Sequence, residues 1–210
     1  MTTAVEAWER YAEKAQPRRP TNAAGATTWL NWTQYADHGP DESALGELTG
    51  RRVLEMGSGS GSNLAHLATL GAICTGVDLA PSRTAAATAR WGHLPSLEFV
   101  TADVIDYLAT VTTVFDVIYS IFGAVWFTDP ASLLPLVRRR MAPDGVFAFS
   151  HLPTAETCIT SGRAISKWQY PAERWKQLLT AAGFDAVTAE TIAAPTGGQQ
   201  GTLWVRARRA

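Results

Sequence analysis

The spacing of apolar positions changes character near residue 51. Before it the chain is polar and interrupted by Pro17 and Pro20. Its aromatics fall at helical spacing: Trp8 and Tyr11 are three apart, and Trp29, Trp32 and Tyr35 repeat that step along one predicted helical stripe. Asp37-His38-Gly39-Pro40-Asp41 predicts a turn. Beyond it, short apolar runs alternate with helical patterns. Strands are predicted at 53–56, 73–77, 97–100, 115–119 and 146–150, with helices at 63–70, 81–91, 131–141 and 171–182. Strands at 186–192 and 202–208 close the chain, joined across 195–201. Strand–helix alternation implies a doubly wound α/β fold, a mostly parallel sheet with helices on both faces. Residues 1–50 are set apart as an N-terminal helical segment, and 51–210 as the main domain.

Composition narrows the function. Apolar residues make up 46% of 210, enough for a substantial core. The net charge of −1 offers no electrostatic case for nucleic acid. The basic run Arg138–Arg140 reads as the solvated last turn of a helix. Cys74 and Cys158 lie far apart, so neither a disulfide framework nor a zinc site is expected, and Cys74 is assigned to the core. No ligand set for a metal is apparent. Without a secretory leader pattern or a membrane-length apolar run, a cytoplasmic monomer or homodimer is expected.

The segment Glu55-Met56-Gly57-Ser58-Gly59-Ser60-Gly61-Ser62-Asn63 follows a strand and opens a helix, the setting of a nucleotide-binding glycine loop. The dinucleotide fingerprint G-x-G-x-x-G fails here, because the position six from Gly57 is Ser62. The order present is acidic-x-G-x-G-x-G. Glu55 would stand unfavourably beside a pyrophosphate, but suits a ligand with an amino group and a positive sulfur. Acidic residues recur at later strand ends. Asp78 lies about 20 residues beyond the glycines, where a carboxylate can accept from ribose hydroxyls. Asp103 follows the third strand, where it can accept from an adenine amino group while the Val104 backbone meets a ring nitrogen. Helix capping is the competing reading for Asp78, and strand termination for Asp103.

These segments, with Phe115–Phe122 and Leu134–Phe149, resemble the class I S-adenosylmethionine-dependent methyltransferases, specifically the small single-domain type acting on small molecules. The resemblance implies a seven-stranded Rossmann-like sheet with its last strand antiparallel. It implies S-adenosylmethionine as cofactor and a methyl acceptor that is a small molecule, not nucleic acid or membrane. Glu55, Gly57 and Gly59 would line the methionine and ribose portion, with Ser58 and Asn63 among the contacts. Asp78 and Leu79 would hold ribose and flank adenine, and Asp103 and Val104 would read the adenine edge. Tyr119 and Ser120 would approach the methionyl amino group. Ile121, Phe122 and Trp126 would face the acceptor. Tyr119-Ser120-Ile121-Phe122 departs from the N-P-P-Y type of motif, which argues against methylation of exocyclic base nitrogens.

Methyl transfer to an oxygen or nitrogen needs chiefly positioning, and a base only if the acceptor loses its proton early. His151, after the fifth strand, and His38, in the N-terminal turn, are the candidate bases. A hydrogen-bonded or solvated histidine is the alternative for each. His66 is assigned a structural place. Residues 1–40 are expected to form a lid, with Trp29, Trp32 and Tyr35 as an aromatic wall and Trp168 and Tyr170 completing the acceptor pocket. The competing reading makes that wall the apolar face of a packed helix. A cofactor-binding protein without methyl transfer, an RNA or protein methyltransferase and a nicotinamide oxidoreductase are the rival functions.

Overall fold

The strands at 52–56, 73–78, 97–101 and 115–121 are short, largely apolar and end within two residues of a glycine or an aspartate, so each ends where a loop must begin. The computed structural model describes residues 2–16, 18–160 and 164–210. The strands are β1 (Arg52–Met56), β2 (Ile73–Asp78), β3 (Leu97–Thr101), β4 (Phe115–Ile121) and β5 (Met141–His151). A small hairpin, β6 (Cys158–Thr160) and β7 (Lys167–Gln169), precedes β8 (Phe184–Ile192) and β9 (Thr202–Arg209). The seven-stranded sheet runs β3-β2-β1-β4-β5-β9-β8. Its first five members are parallel, and β9 is antiparallel to both β5 and β8. The chain leaves β1 toward β3 on one side and resumes at β4 on the other. That reversal opens a crevice at the carboxyl ends of β1 and β4, where open α/β sheets bind ligands.

The helices are α1 (Ala4–Lys14), α2 (Ser62–Thr69), α3 (Pro81–Trp91), α4 (Val104–Thr110), α5 (Ala124–Phe127), α6 (Pro130–Arg139) and α7 (Ala172–Ala181). Two apolar cores form, one on each face of the sheet. One packs α4, α6 and α7 around Ile118, Phe147, Phe149, Trp175 and Leu179. The other packs α2 and the N-terminal segment around Trp32, Leu64, Leu67, Cys74 and Tyr119. Cys74 is buried as expected, and burial pushes its thiol up to about 12.

Several expectations change. Trp29, Trp32 and Tyr35 lie on irregular chain, not on a helix. Pro17 lies outside the described residues. Helices α4 and α5 and the β6–β7 hairpin carry too few residues to show a period, and the sequence reading omits all three. β5 begins earlier than predicted, running through Pro143-Asp144-Gly145 with a register shift against β4. The basic run is tied to the fold: Arg138 donates to the Gly183 carbonyl at 3.0 Å, and Arg140 Nε to that of Leu108 at 2.8 Å.

Candidate active site

A cavity of 760 Å³ occupies the crevice, within the size range of small-molecule sites, about 300–1,000 Å³. Its floor is the loop after β1. A Cβ at Gly57 would sit 2.6 Å from the Ala124 backbone nitrogen, and one at Gly123 would sit 2.5 Å from the Met56 carbonyl. The loops after β1 and β4 therefore meet backbone to backbone, which only glycine permits. Gly59, at φ +52°, has nothing within 4 Å of where a Cβ would be; open space lies above it. Gly57 and Ser58 anchor the loop by donating to the Val77 carbonyl at 2.8 and 3.1 Å.

Carboxylates ring this floor. Glu55 is 2% exposed, yet it lines the cavity. Its Oε2 has no hydrogen-bond partner among the described residues, nor does Ser58 Oγ beside it. Burial pushes its carboxyl up to about 8; Tyr119 and Asn63 pull the other way, and Asp78 adds to the rise. Asp78 accepts from Gly59 N at 2.8 Å and from Ala80 N at 2.9 Å, so it braces the loop while facing the cavity. Asp103 accepts from Ile105 N at 2.7 Å, capping α4, and also lines the cavity. The helix-capping alternative thus belongs to Asp103, combined with a place in the site. Leu79, Ala80, Ala102 and Val104 make an apolar slot between the two aspartates. Asn63 completes the floor, where its Oδ1 accepts from Arg18 Nη1 at 3.0 Å.

Other expected residues lie elsewhere. Ser120 is fully buried and donates to the Met56 carbonyl at 2.7 Å, holding the β1 and β4 loops together outside the cavity. Tyr119 is likewise fully buried and packs against Trp32 on the sheet face, with burial and Glu55 raising its phenol. Trp32 itself is 0% exposed, wedged between Tyr119 and Trp204, so it is core and not wall. Trp29 lies under the Arg18 guanidinium, 3.8 Å from its ring centre, and does not line the cavity. Tyr35 donates its hydroxyl to the Gln200 carbonyl at 2.7 Å, away from the site.

Neither candidate base reaches the cavity. His38 stacks edgewise on Tyr35 and sits 3.3 Å from Thr33 Oγ1. His151 is fully buried. Trp175 Nε1 donates to its Nε2 at 2.9 Å, which leaves the proton on Nδ1, donated to the Leu152 carbonyl at 2.7 Å. Both nitrogens are committed, and burial lowers the ring's pKa to about 4. His151 therefore organises the core beneath Trp126, its ring stacked 5.5 Å from that indole. The folded chain resists protonating a group that takes up a proton near 6.5 when unfolded. Stability held by the neutral ring is present above that value and falls as pH drops toward 4, by about 1.4 kcal/mol per unit at most. The difference in urea midpoint between the wild type and His151→Gln, followed from pH 7 to 4, isolates this loss, because other titrating groups shift both chains alike; the difference shrinks as pH falls.

The cavity is also lined by Ile121, Phe122 and Trp168, and by Trp8, Tyr11 and Phe127. Phe122 takes φ +49°, a left-handed conformation costly for a bulky residue and found most often at functional sites. Trp126 does not line the cavity; Lys167 Nζ lies 4.3 Å from its ring centre. Trp8 packs edgewise on Phe127 at 4.7 Å, so α1 covers the short α5. The Trp8–Tyr11 spacing already marked these two aromatics as one helix face. Arg18 and Phe127 carried no signal in sequence.

Residues 54–149 match a protein-family model described as a methyltransferase domain. Among solved structures, the chain is similar to 1,6-didemethyltoxoflavin-N1-methyltransferase of Burkholderia thailandensis, bound to 1,6-didemethyltoxoflavin and S-adenosylhomocysteine. The identity is 24%, over 77% of this chain and 72% of that one, with a TM-score of 0.64. It is similar to an S-adenosylmethionine-dependent methyltransferase of Mesorhizobium loti at 22% identity, over 80% and 94%, with a TM-score of 0.63. Phosphoethanolamine N-methyltransferase 2 of Haemonchus contortus, with phosphomonomethylethanolamine and S-adenosylhomocysteine, matches at 15% over 80% and 51%, with a TM-score of 0.64. No curated protein matches significantly. The sheet order, the glycine loop with its ring of carboxylates, and the matched segment agree: the chain has the Rossmann-like methyltransferase fold, and residues 54–149 are similar to a methyltransferase domain.

Proposed function

We propose that the chain methylates an oxygen or nitrogen atom of a small, flat, largely apolar molecule, with α1 as a lid over the acceptor. The observation that carries this reading is the aromatic end of the cavity. Trp8, Tyr11, Phe122, Phe127 and Trp168 line it, next to the carboxylate-ringed floor. Aromatic faces suit both a planar acceptor and a neighbouring positive sulfur. Two of the similar structures are named for small acceptors, which supports the same class. Among the described residues no helix is long and apolar enough to cross a membrane.

In this reading Glu55, Gly57, Ser58, Gly59 and Asn63 hold the amino-acid end and the ribose. Asp78 takes the ribose hydroxyls, and Leu79, Asp103 and Val104 take the adenine. When bound, the cofactor supplies a methyl group on a positive sulfur. The chain's own contribution is to align the acceptor with that methyl and keep water out; such alignment can remove about 7–11 kcal/mol of barrier in favourable cases. None of the four histidines lines the cavity, so proton removal by histidine has no part in it.

The test is incubation of the chain with methyl-labelled cofactor and fractionated extracts. Label in a small aromatic compound supports the reading; label in RNA or protein alone, or no S-adenosylhomocysteine formed, refutes it. Helix α1 buries none of its residues, so Trp8→Ala leaves the melting temperature nearly unchanged. The same variant raises KM for the acceptor about tenfold, the scale of one lost aromatic contact, and leaves cofactor affinity alone. Equal loss of stability and activity would make α1 scaffold.

A further inference from the structure

Helix α3 begins without a cap of its own. Its N-cap position is Ala80, whose side chain cannot accept a hydrogen bond, and Pro81 follows. The first amide N–H of the helix, that of Ser82, donates instead to Glu9 Oε1 of α1 at 2.9 Å. An N-cap side chain normally accepts this bond; here it comes from 73 residues away. Hydrogen bonding to Ser82, and more weakly the charge of Arg83, hold the Glu9 carboxyl below its usual value. It is therefore an anion at neutral pH, which suits the positive end of a helix.

Little else holds α1. None of its residues is buried, and among the described residues Glu9–Ser82 is the one hydrogen bond from its side chains to the rest of the chain. Ala4, Trp8, Tyr11 and Ala15, a stripe at helical steps, line the cavity. Trp8 rests on Phe127 of α5, which follows β4, while the adjacent Glu9 reaches α3, which follows β2. The helix therefore bridges the mouth of the crevice from one side to the other. Its 11 residues are too few for a stable helix in water without packing, so its helical state reports its docking. The bond it makes lies next to the adenosine slot: Ser82 is two residues beyond Ala80, and Ala80 N donates to Asp78 at 2.9 Å.

We infer that Glu9 is a positioning residue that couples the lid to the cofactor slot, capping α3 only when α1 is docked over the cavity. A ligand in the slot meets the stripe of the docked helix and not that of a detached one, so its binding draws α1 down. By linkage, docking of α1 tightens the hold on the ligand by the same factor. The inference rests on the cofactor reading and adds a consequence: the helix that roofs the acceptor closes in response to the cofactor, so the acceptor pocket is completed after the cofactor has entered.

Hydrogen exchange of the full chain, read by mass spectrometry with and without S-adenosylhomocysteine, tests the coupling together with the release rate of that compound in stopped flow. In the wild type the compound slows exchange across residues 4–14. Glu9→Ala speeds ligand-free exchange there about threefold to thirtyfold, the range for one lost N-cap bond, and speeds release by a similar factor. Glu9→Gln, whose amide oxygen still accepts from Ser82 N, restores part of both. Exchange of residues 4–14 that is the same in Glu9→Ala as in the wild type overturns the docking role. Faster exchange with an unchanged release rate makes Glu9 a structural cap and overturns the coupling. A wild-type chain that does not bind the compound overturns the cofactor reading, and the coupling with it, whatever the ligand-free exchange shows for the cap itself.

Discussion

Replacing Glu55 with glutamine makes the ligand-free chain more stable above pH 8 and a poorer binder of S-adenosylhomocysteine. In the folded chain the carboxyl keeps its proton to about pH 8, against 4.5 for an unperturbed glutamate, because burial penalises its charge. The folded state therefore binds the extra proton between those values. The stability this gives is complete below about 4.5 and is lost as pH rises toward 8. Glutamine imitates the protonated form and carries no such loss. The difference at high pH is on the order of a few kcal/mol. Denaturant unfolding at pH 7 and 8.5, above the range where His151 contributes, will show a fall for the wild type and little change for Glu55→Gln. The ligand ammonium, by contrast, asks for a carboxylate. Its binding drives a proton off Glu55, so affinity in the wild type falls as pH drops below about 8. Glu55→Gln removes that slope and weakens binding at pH 8.5 about tenfold to a hundredfold. A variant that keeps the wild-type slope would show that another group takes the ammonium.

Trp32→Ala destabilises the chain by about 3–5 kcal/mol, a large part of a domain's total stability. The indole is fully buried between Tyr119 and Trp204, and Ser150 Oγ donates to its backbone carbonyl at 2.6 Å. Its loss leaves a cavity behind the central strands β1 and β4. Urea denaturation will register the effect as a lower midpoint. Where the variant still folds, KM for cofactor and acceptor stays within about twofold of wild type. A selective rise in acceptor KM with an unchanged midpoint would return Trp32 to the pocket wall.

The contrast between Trp32 and Trp8 shows what the sequence could carry. Both sit in aromatic pairs at helical spacing within a polar segment. Trp8 is on a helix because Thr3 and Glu6 cap it reciprocally. The chain at Trp29–Tyr35 has no such cap and is irregular, with bends at 33–35, so its three-residue step has no structural meaning. Spacing alone does not separate the two. The cofactor floor was legible because the acid, the glycines and Asp78 obey a local rule: each must lie at a strand end, and strand ends are visible as apolar runs that stop. Arg18 was not, because its contacts with Trp29 and Asn63 are made only on folding. His151 shows the same limit. Its place after β5 suggested the cofactor edge, but the partner that commits its ring, Trp175, is on a helix 24 residues later.

The most direct test of the account is a crystal structure of the chain with S-adenosylhomocysteine. Ribose hydroxyls against Asp78, adenine in the slot between Asp78 and Asp103, and the amino-acid end beside Glu55 and Asn63 are the predicted result. Density for the compound anywhere other than above Gly59, or a reversed pose with the adenine against Trp8 and Phe127, would contradict it.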